Sequence, residues 1–149
     1  MQAGAMVFRC SEQGLFAAGA GQLTQFYHLP GAGMAGMSGS KIPDAQSGAQ
    51  KASIPAIATM SGVNLIDGSA GMQASLLGTC PESHVIDNDM IGMAMLSVRG
   101  IEVTDETLAI DAMRAVAEEG TGHYLGHPMT LERMMTEHFF PNHIPPELN

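Results

Sequence analysis

Only three acids, Glu12, Asp44 and Asp67, occur in the first eighty residues of this 149-residue chain, balanced by the bases Arg9, Lys41 and Lys51. Each acid follows an apolar run that reads as a strand. Carboxylates held at the mouths of strand-to-helix loops, where the surrounding sequence is apolar, can move protons or hold a cation. The loops after the three runs cover residues 9–12, 38–46 and 67–73. They gather Glu12, Lys41, Asp44, Gln46, Asp67 and Gln73 at one face if the strands are parallel. This makes Glu12, Asp44 and Asp67 the candidate catalytic acids and Gln46 and Gln73 candidate substrate ligands. For Asp44 a plainer role also fits, capping the helix that follows it.

Other patterns carry less. Gly31-Ala32-Gly33-Met34-Ala35-Gly36 spells G-x-G-x-x-G, but Pro30 precedes it, no helix start follows it, and residues 51–60 contain no acid. A dinucleotide fingerprint needs all three features in place. A glycine-rich strand that lets a ligand or a neighbour approach closely fits better. His123 and His127 are four apart, a metal spacing on a helix, but Gly122, Gly126 and Pro128 oppose helix and no Cys or carboxylate accompanies them. A structured turn with its imidazoles bonded to backbone is expected there, and no metal site. Cys10 and Cys80 are too few for a disulfide framework. Both read as structural, and they suit a reducing compartment.

The elements that must position these residues alternate. Ala5-Met6-Val7-Phe8 reads as a buried strand, followed by a helix over 13–28 and a weak strand over 29–34. A Gly/Ser loop over 37–43 leads into a helix over 44–60, which Pro55 should kink or split. Gly62 stops it, and Val63-Asn64-Leu65-Ile66 is the third strand. Thr79-Cys80-Pro81-Glu82 is a capping-box pattern opening a helix that is apolar nearly all round from Met90 to Val98. Thr104 caps the next helix, whose inner stripe is Leu108, Ala112, Ala115 and Val116. A last helix spans 130–139, and residues 141–149, with Pro141, Pro145 and Pro146, form a tail. This order implies α/β units around a parallel sheet. Three parallel strands leave two open edges, so the chain reads as a single partial domain of something larger.

Composition narrows the functional classes. The chain is 45% hydrophobic with a mean hydropathy of +0.09, enough for a packed core. Its whole net charge of −9 falls in residues 81–149. No basic stripe exists to follow phosphates, so nucleic acid is not an expected partner. No apolar run is long enough for a membrane span, and MQAGAMVFRC has no basic region ahead of an apolar one, so neither a membrane nor a secretory signal is expected. A cytoplasmic location follows as the expectation.

Longer blocks carry a resemblance. Ser40-Lys41-Ile42-Pro43-Asp44-Ala45-Gln46-Ser47-Gly48, then Gly62-Val63-Asn64-Leu65-Ile66, resembles the trimethylamine:corrinoid methyltransferase family. So do Ile86-Asp87-Asn88-Asp89-Met90-Ile91-Gly92 and Arg99-Gly100-Ile101-Glu102-Val103-Thr104-Asp105-Glu106-Thr107. Gly122-His123-Tyr124-Leu125-Gly126-His127, followed by Thr130-Leu131, is a further block, and together they run from Met6 to Phe140.

The resemblance implies the C-terminal part of a (β/α)8 TIM barrel, about three β/α units plus the last helices. It implies methyl transfer from a methylated or quaternary amine to the cobalt of a corrinoid carried on a separate protein. This chain would bind no cofactor itself, and a homo-oligomer is expected. Some family members carry pyrrolysine, which is absent from these residues, and relatives without it are associated with betaine-type amines. Glu12, Asp44 and Asp67 would then face the cation, with Tyr124 and Phe8 as aromatic walls. A reading frame shortened by an upstream amber codon or a frameshift would give such a chain. The competing expectations are a non-catalytic remnant of such an enzyme and, resting on residues 31–36 alone, a dinucleotide-binding oxidoreductase piece.

Overall fold

A computed structural model of the chain describes residues 11–120 and 122–140. These fall into two compact units, which divide between Arg99 and Gly100. The first contains helix α1 (Ser11–Phe26), strand β1 (Ala32–Met34), helix α2 (Ala45–Met60), strand β2 (Leu65–Asp67), the short strands β3 (Met72–Gln73) and β4 (Gly78–Thr79), and helix α3 (Pro81–Arg99). The second contains α4 (Asp105–Leu108), α5 (Ile110–Glu119) and α6 (Pro128–Glu137). No helix among the described residues is long and apolar enough to cross a membrane.

β1 and β2 pair in parallel with Gly33 opposite Ile66, and α2 is the crossover between them. This is the alternating, mixed α/β arrangement expected from the sequence order. The strand expected at residues 5–8, with Phe8 and Cys10, lies outside the described residues, as does the tail at 141–149. β3 and β4 form a small antiparallel hairpin within a region that reads as plain loop in the sequence.

The core is made of small residues at close range. Ala17, Ala35, Ile54 and Ala58 are its buried members, with Ile66 packed against them. Glycines set the spacing. A Cβ on Gly14 would stand 3.2 Å from Ile57 Cδ1, and one on Gly33 would stand 3.5 Å from the Ala17 Cβ. The glycine-rich run over 31–36 therefore serves close packing of α1 on β1. It runs through the strand, and α2 does not begin until Ala45, so it is no phosphate-binding turn.

Several sequence expectations are corrected. α2 runs unbroken through Pro55, which is itself buried in it, so packing of the ring offsets the one backbone bond it removes. α3 is not buried all round: Ala94 is buried, but Met93, Met95 and Val98 stand exposed. Its covered positions are instead Ser83, Asp87 and Ala94 on one side and Asp89 on the other. The helix after Thr104 breaks at Ala109, whose φ of 54° is left-handed, giving α4 and α5. Thr104 and Thr107 form a reciprocal capping box that closes α4 as a single turn. Leu108 is half exposed, and Val116 is the buried member of the expected stripe.

Candidate functional site

The C-terminal ends of parallel strands are where α/β proteins place their working residues, because the loops there are free to carry polar groups. In this chain those loops follow Met34 and Asp67, and they are stitched together by hydrogen bonds. Ser38 Oγ donates to Gln50 Oε1 at 2.9 Å, and the same oxygen accepts the Gly39 amide at 3.0 Å. The Ala74 amide donates to the Ser40 carbonyl at 2.7 Å and the Ser75 amide to the Ser38 carbonyl at 2.9 Å. Gly36, at φ 99°, lies where any Cβ would meet the Ser69 backbone.

Beneath these loops lies a buried polar knot. Lys51 Nζ donates to Asp87 Oδ2 at 2.6 Å and to Ser83 Oγ at 2.5 Å. Asp87 Oδ2 also accepts the Gly71 amide at 2.7 Å. Gln73 Nε2 donates to Ser83 Oγ at 2.9 Å and to Ser47 Oγ at 3.0 Å. Each of these five residues is at most 2% exposed. A lone ammonium or carboxylate at such depth would be too costly, so each charge needs the other. The knot ties the loop after β2 to α2 and α3 at once. It also neutralises Asp87, which leaves that carboxylate no charge to offer a ligand.

Strain accompanies the knot. Ala74, Ser75 and Leu76 have φ of 50°, 57° and 76°, three consecutive left-handed residues without a glycine. Such a turn persists only where its surroundings hold it, as the bonds to Ser38 and Ser40 do here. Gln13 sits at the other side of the first loop and donates to the Met34 carbonyl at 3.0 Å, at the end of β1. Gln13 Oε1 and Ser75 Oγ are buried without a hydrogen-bond partner.

The expected site residues are distributed as follows. Asp67 ends β2 and is exposed, its Oδ1 accepting the Gly68 amide at 2.8 Å. Asp44 is the N-cap of α2 and accepts the Ser47 amide at 2.9 Å. That amide, followed by the Ser40 hydroxyl, holds the Asp44 carboxyl below its ordinary value. Gln46, in the first turn of α2, and Glu12, in the first turn of α1, are exposed. Gln73 is buried, and its amide is committed to Ser47 and Ser83. Tyr124 lies in the second unit, half exposed. Phe8 is outside the described residues. Ser47 links two of the expected residues directly, since its amide binds Asp44 and its hydroxyl binds Gln73.

Lys51, Ser83 and Asp87 were not singled out by residue type, yet a signal existed. Ser47, Lys51, Ile54 and Ala58 share one face of α2, and Ser83, Asp87 and Ala94 one face of α3. Polar residues set into two facing apolar stripes, with opposite charges, mark a buried pair.

Two other places are poorer sites. A cavity of about 270 Å³ opens among Pro55, Thr59, Val63, Ile66, Ile91 and Ala94. Its lining holds no titratable side chain, so it offers no acid, base or charge. His127 caps α6, its Nδ1 accepting the Met129 amide at 3.3 Å, and no cluster of three metal-ligating side chains occurs among the described residues.

Known proteins are similar to this sequence. A family model described as trimethylamine methyltransferase matches residues 1–145. A trimethylamine methyltransferase of Methanosarcina barkeri (strain Fusaro) is 35% identical, the match covering 83% of this chain and 27% of the relative. One from Desulfitobacterium hafniense (strain DCB-2) is 33% identical over 85% of this chain and 25% of the relative. A glycine betaine methyltransferase of Desulfitobacterium hafniense (strain Y51) is 26% identical over 95% of this chain and 29% of the relative. The chain thus spans about a quarter of the length of the curated relatives it matches.

Proposed function

The chain belongs to the trimethylamine methyltransferase family, and from that premise we propose that its loop face serves methyl transfer from a methylated amine, of trimethylamine or betaine type, to the cobalt of a corrinoid on a separate protein. The observation that carries this reading is the polar, tightly braced loop face at the C-terminal ends of β1 and β2. In the proposed setting β1 and β2 are two strands of a (β/α)8 barrel, and the loop face opens towards its axis. The corrinoid protein and the amine are the partners, and both are substrates.

The chemistry is a displacement at carbon. Co(I) attacks the methyl carbon in line, the C–N bond breaks, and its electron pair stays on nitrogen. Cobalt becomes methyl-Co(III); a quaternary ammonium leaves as the neutral tertiary amine, and trimethylamine, reacting as its protonated trimethylammonium form, leaves as neutral dimethylamine. The protein's share is to hold the cation, orient one methyl group and exclude water. Asp67, at the end of β2, and Asp44, kept ionised by its cap bonds, supply negative charge on this face, with Glu12 beside the start of α1 as a third. Gln46 offers an exposed amide in the first turn of α2. Gln73 works indirectly, since its amide fixes Ser47 and Ser83 and so the loop above them.

Incubating the chain with a reduced corrinoid protein and either trimethylamine or glycine betaine tests this. Amine-dependent conversion of the Co(I) spectrum to that of methyl-Co(III) is the expected result. A corrinoid that stays Co(I) with both amines contradicts it and favours a non-catalytic remnant.

A further inference from the structure

By its own sequence, the segment that follows β2 should be the loosest part of the loop face. Gly68 and Gly71 bracket Ser69 and Ala70 with φ of 63° and 78°, a region that glycine enters at little cost. Local chemistry therefore does not fix where the segment lies, or how it presents Asp67 at its start. Three clamps do so instead. The Ser69 backbone lies so close against Gly36 of the first loop that no Cβ would fit there. The His84 ring covers Gly71, again leaving no room for a Cβ, and its Nδ1 donates to the Cys80 carbonyl at 3.0 Å. From beneath, the Gly71 amide donates to Asp87 Oδ2 at 2.7 Å.

The third clamp is the buried ion pair, and its presence needs a physical reason. Apolar residues of similar volume are often as stabilising as a buried ion pair, or more so. What they could not supply is an acceptor held at one point for a glycine amide. Asp87 Oδ2 is that acceptor, and Lys51 Nζ, 2.6 Å away, balances its charge. The same carboxylate reaches the other acid of the face. Ser83 Oγ donates to Asp87 Oδ2 at 3.4 Å and accepts from Gln73, and Gln73 binds Ser47, whose amide binds Asp44. Asp44 and Asp67, carried on different loops, thus share one buried root. We infer that Asp87, with Lys51 as its counter-ion, is a positioning residue for the amine site. It fixes residues 68–71, and through them the placing of Asp67 relative to Asp44, without itself touching the substrate. This role rests on the proposed methyl-transfer reading and names the buried pair that sets the geometry of its site.

Two neutral replacements of the pair separate holding the fold from placing the loop. Lys51→Met/Asp87→Asn keeps an oxygen for the Gly71 amide, whereas Lys51→Met/Asp87→Leu keeps the volume without the acceptor. Backbone amide shifts of the full chain, titrated with trimethylamine, give a dissociation constant for each. Hydrogen exchange without amine reads the Gly71 amide directly. With Asp87→Leu, Gly71 should exchange at least about tenfold faster while the interior of α2 stays protected. The dissociation constant should rise about tenfold, the worth of one hydrogen bond. With Asp87→Asn, binding should stay within about threefold of wild type. Should the Asp87→Leu variant not fold, His84→Ala lifts the second clamp from an exposed position, and it should speed Gly71 exchange and weaken binding about threefold. Equal affinity in the two double variants overturns the inference and leaves the amine site standing. So does Gly71 exchange unchanged by Asp87→Leu, or affinity unchanged in His84→Ala once Gly71 exchanges faster. A wild-type chain without saturable shifts removes the amine site itself, and the positioning role with it.

Discussion

Lys51 and Asp87 meet with side chains 2% and 3% exposed, whereas Arg133 and Glu106 meet with side chains 31% and 73% exposed. The first pair lies in the unit ending at Arg99, the second in the unit beginning at Gly100. The contrast extends to the rest of each unit. Every buried polar side chain among the described residues, and every buried apolar one except Val116, belongs to the first. The second relies on local devices: the Thr104–Thr107 capping box, the His127 cap, and pairs such as Arg114–Asp111 along its helices. One unit is specified by buried polar bonds that admit few alternatives, the other by exposed bonds, most of them local, that water can replace.

The largest difference between the units should come from breaking the buried pair. Lys51→Met leaves the Asp87 carboxylate buried without a counter-charge, and it should cost about 3–5 kcal/mol. Lys51→Met/Asp87→Asn should recover more than half of that, because the amide still accepts from Gly71 without a charge to bury. Urea denaturation followed by circular dichroism reads both. If the double variant is no more stable than the single one, the knot is not organised around its charge. Next in size is Gly36→Ala. A φ of 99° and the Ser69 backbone in the way of a Cβ should make it cost about 2 kcal/mol.

The remaining predictions test the other side of the contrast. Glu106→Gln should speed hydrogen exchange in α4 and α6 while leaving α2 untouched, and about 0.5 M salt should erase the difference from wild type. A change in α2 would mean that the surface pair is not local. The smallest effect is acidic. The Asp44 carboxyl titrates below its ordinary value of 3.8, so its contribution to α2 is complete above that pH and fades as pH falls through the lower, folded value. Exchange in the first turn of α2 should rise there, and Asp44→Asn should abolish the step.

Much of this was legible in the residues. The cap at Asp44, the close-packing glycines of 31–36, the parallel pair with its crossover helix and the His127 turn all follow from local chemistry. Lys51 was not legible, since a lysine on a helix reads as solvated until its partner is known. That partner, Asp87, lies on another helix, and no local pattern joins them. The break at Ala109 was equally hidden, because an alanine carries no turn signal and the apolar spacing continues across it. The left-handed turn over 74–76 is imposed by Ser38 and Ser40, which reach it from the other loop. Sequence spacing put Asp44, Asp67 and Gln73 in or next to the loops after β1 and β2, and the structure adds that the Gln73 amide bonds to Ser47 and Ser83.

The central claim is that this loop face, held by the Lys51–Asp87 knot, receives a methylated amine. Titrating the isotope-labelled chain with trimethylamine or glycine betaine, while recording backbone amide shifts, tests it most directly. The account predicts saturable shifts at Gly39, Gly68 and Gly71 and in the first turn of α2. Shifts that are absent from the loops, or that appear only in the second unit, would contradict it.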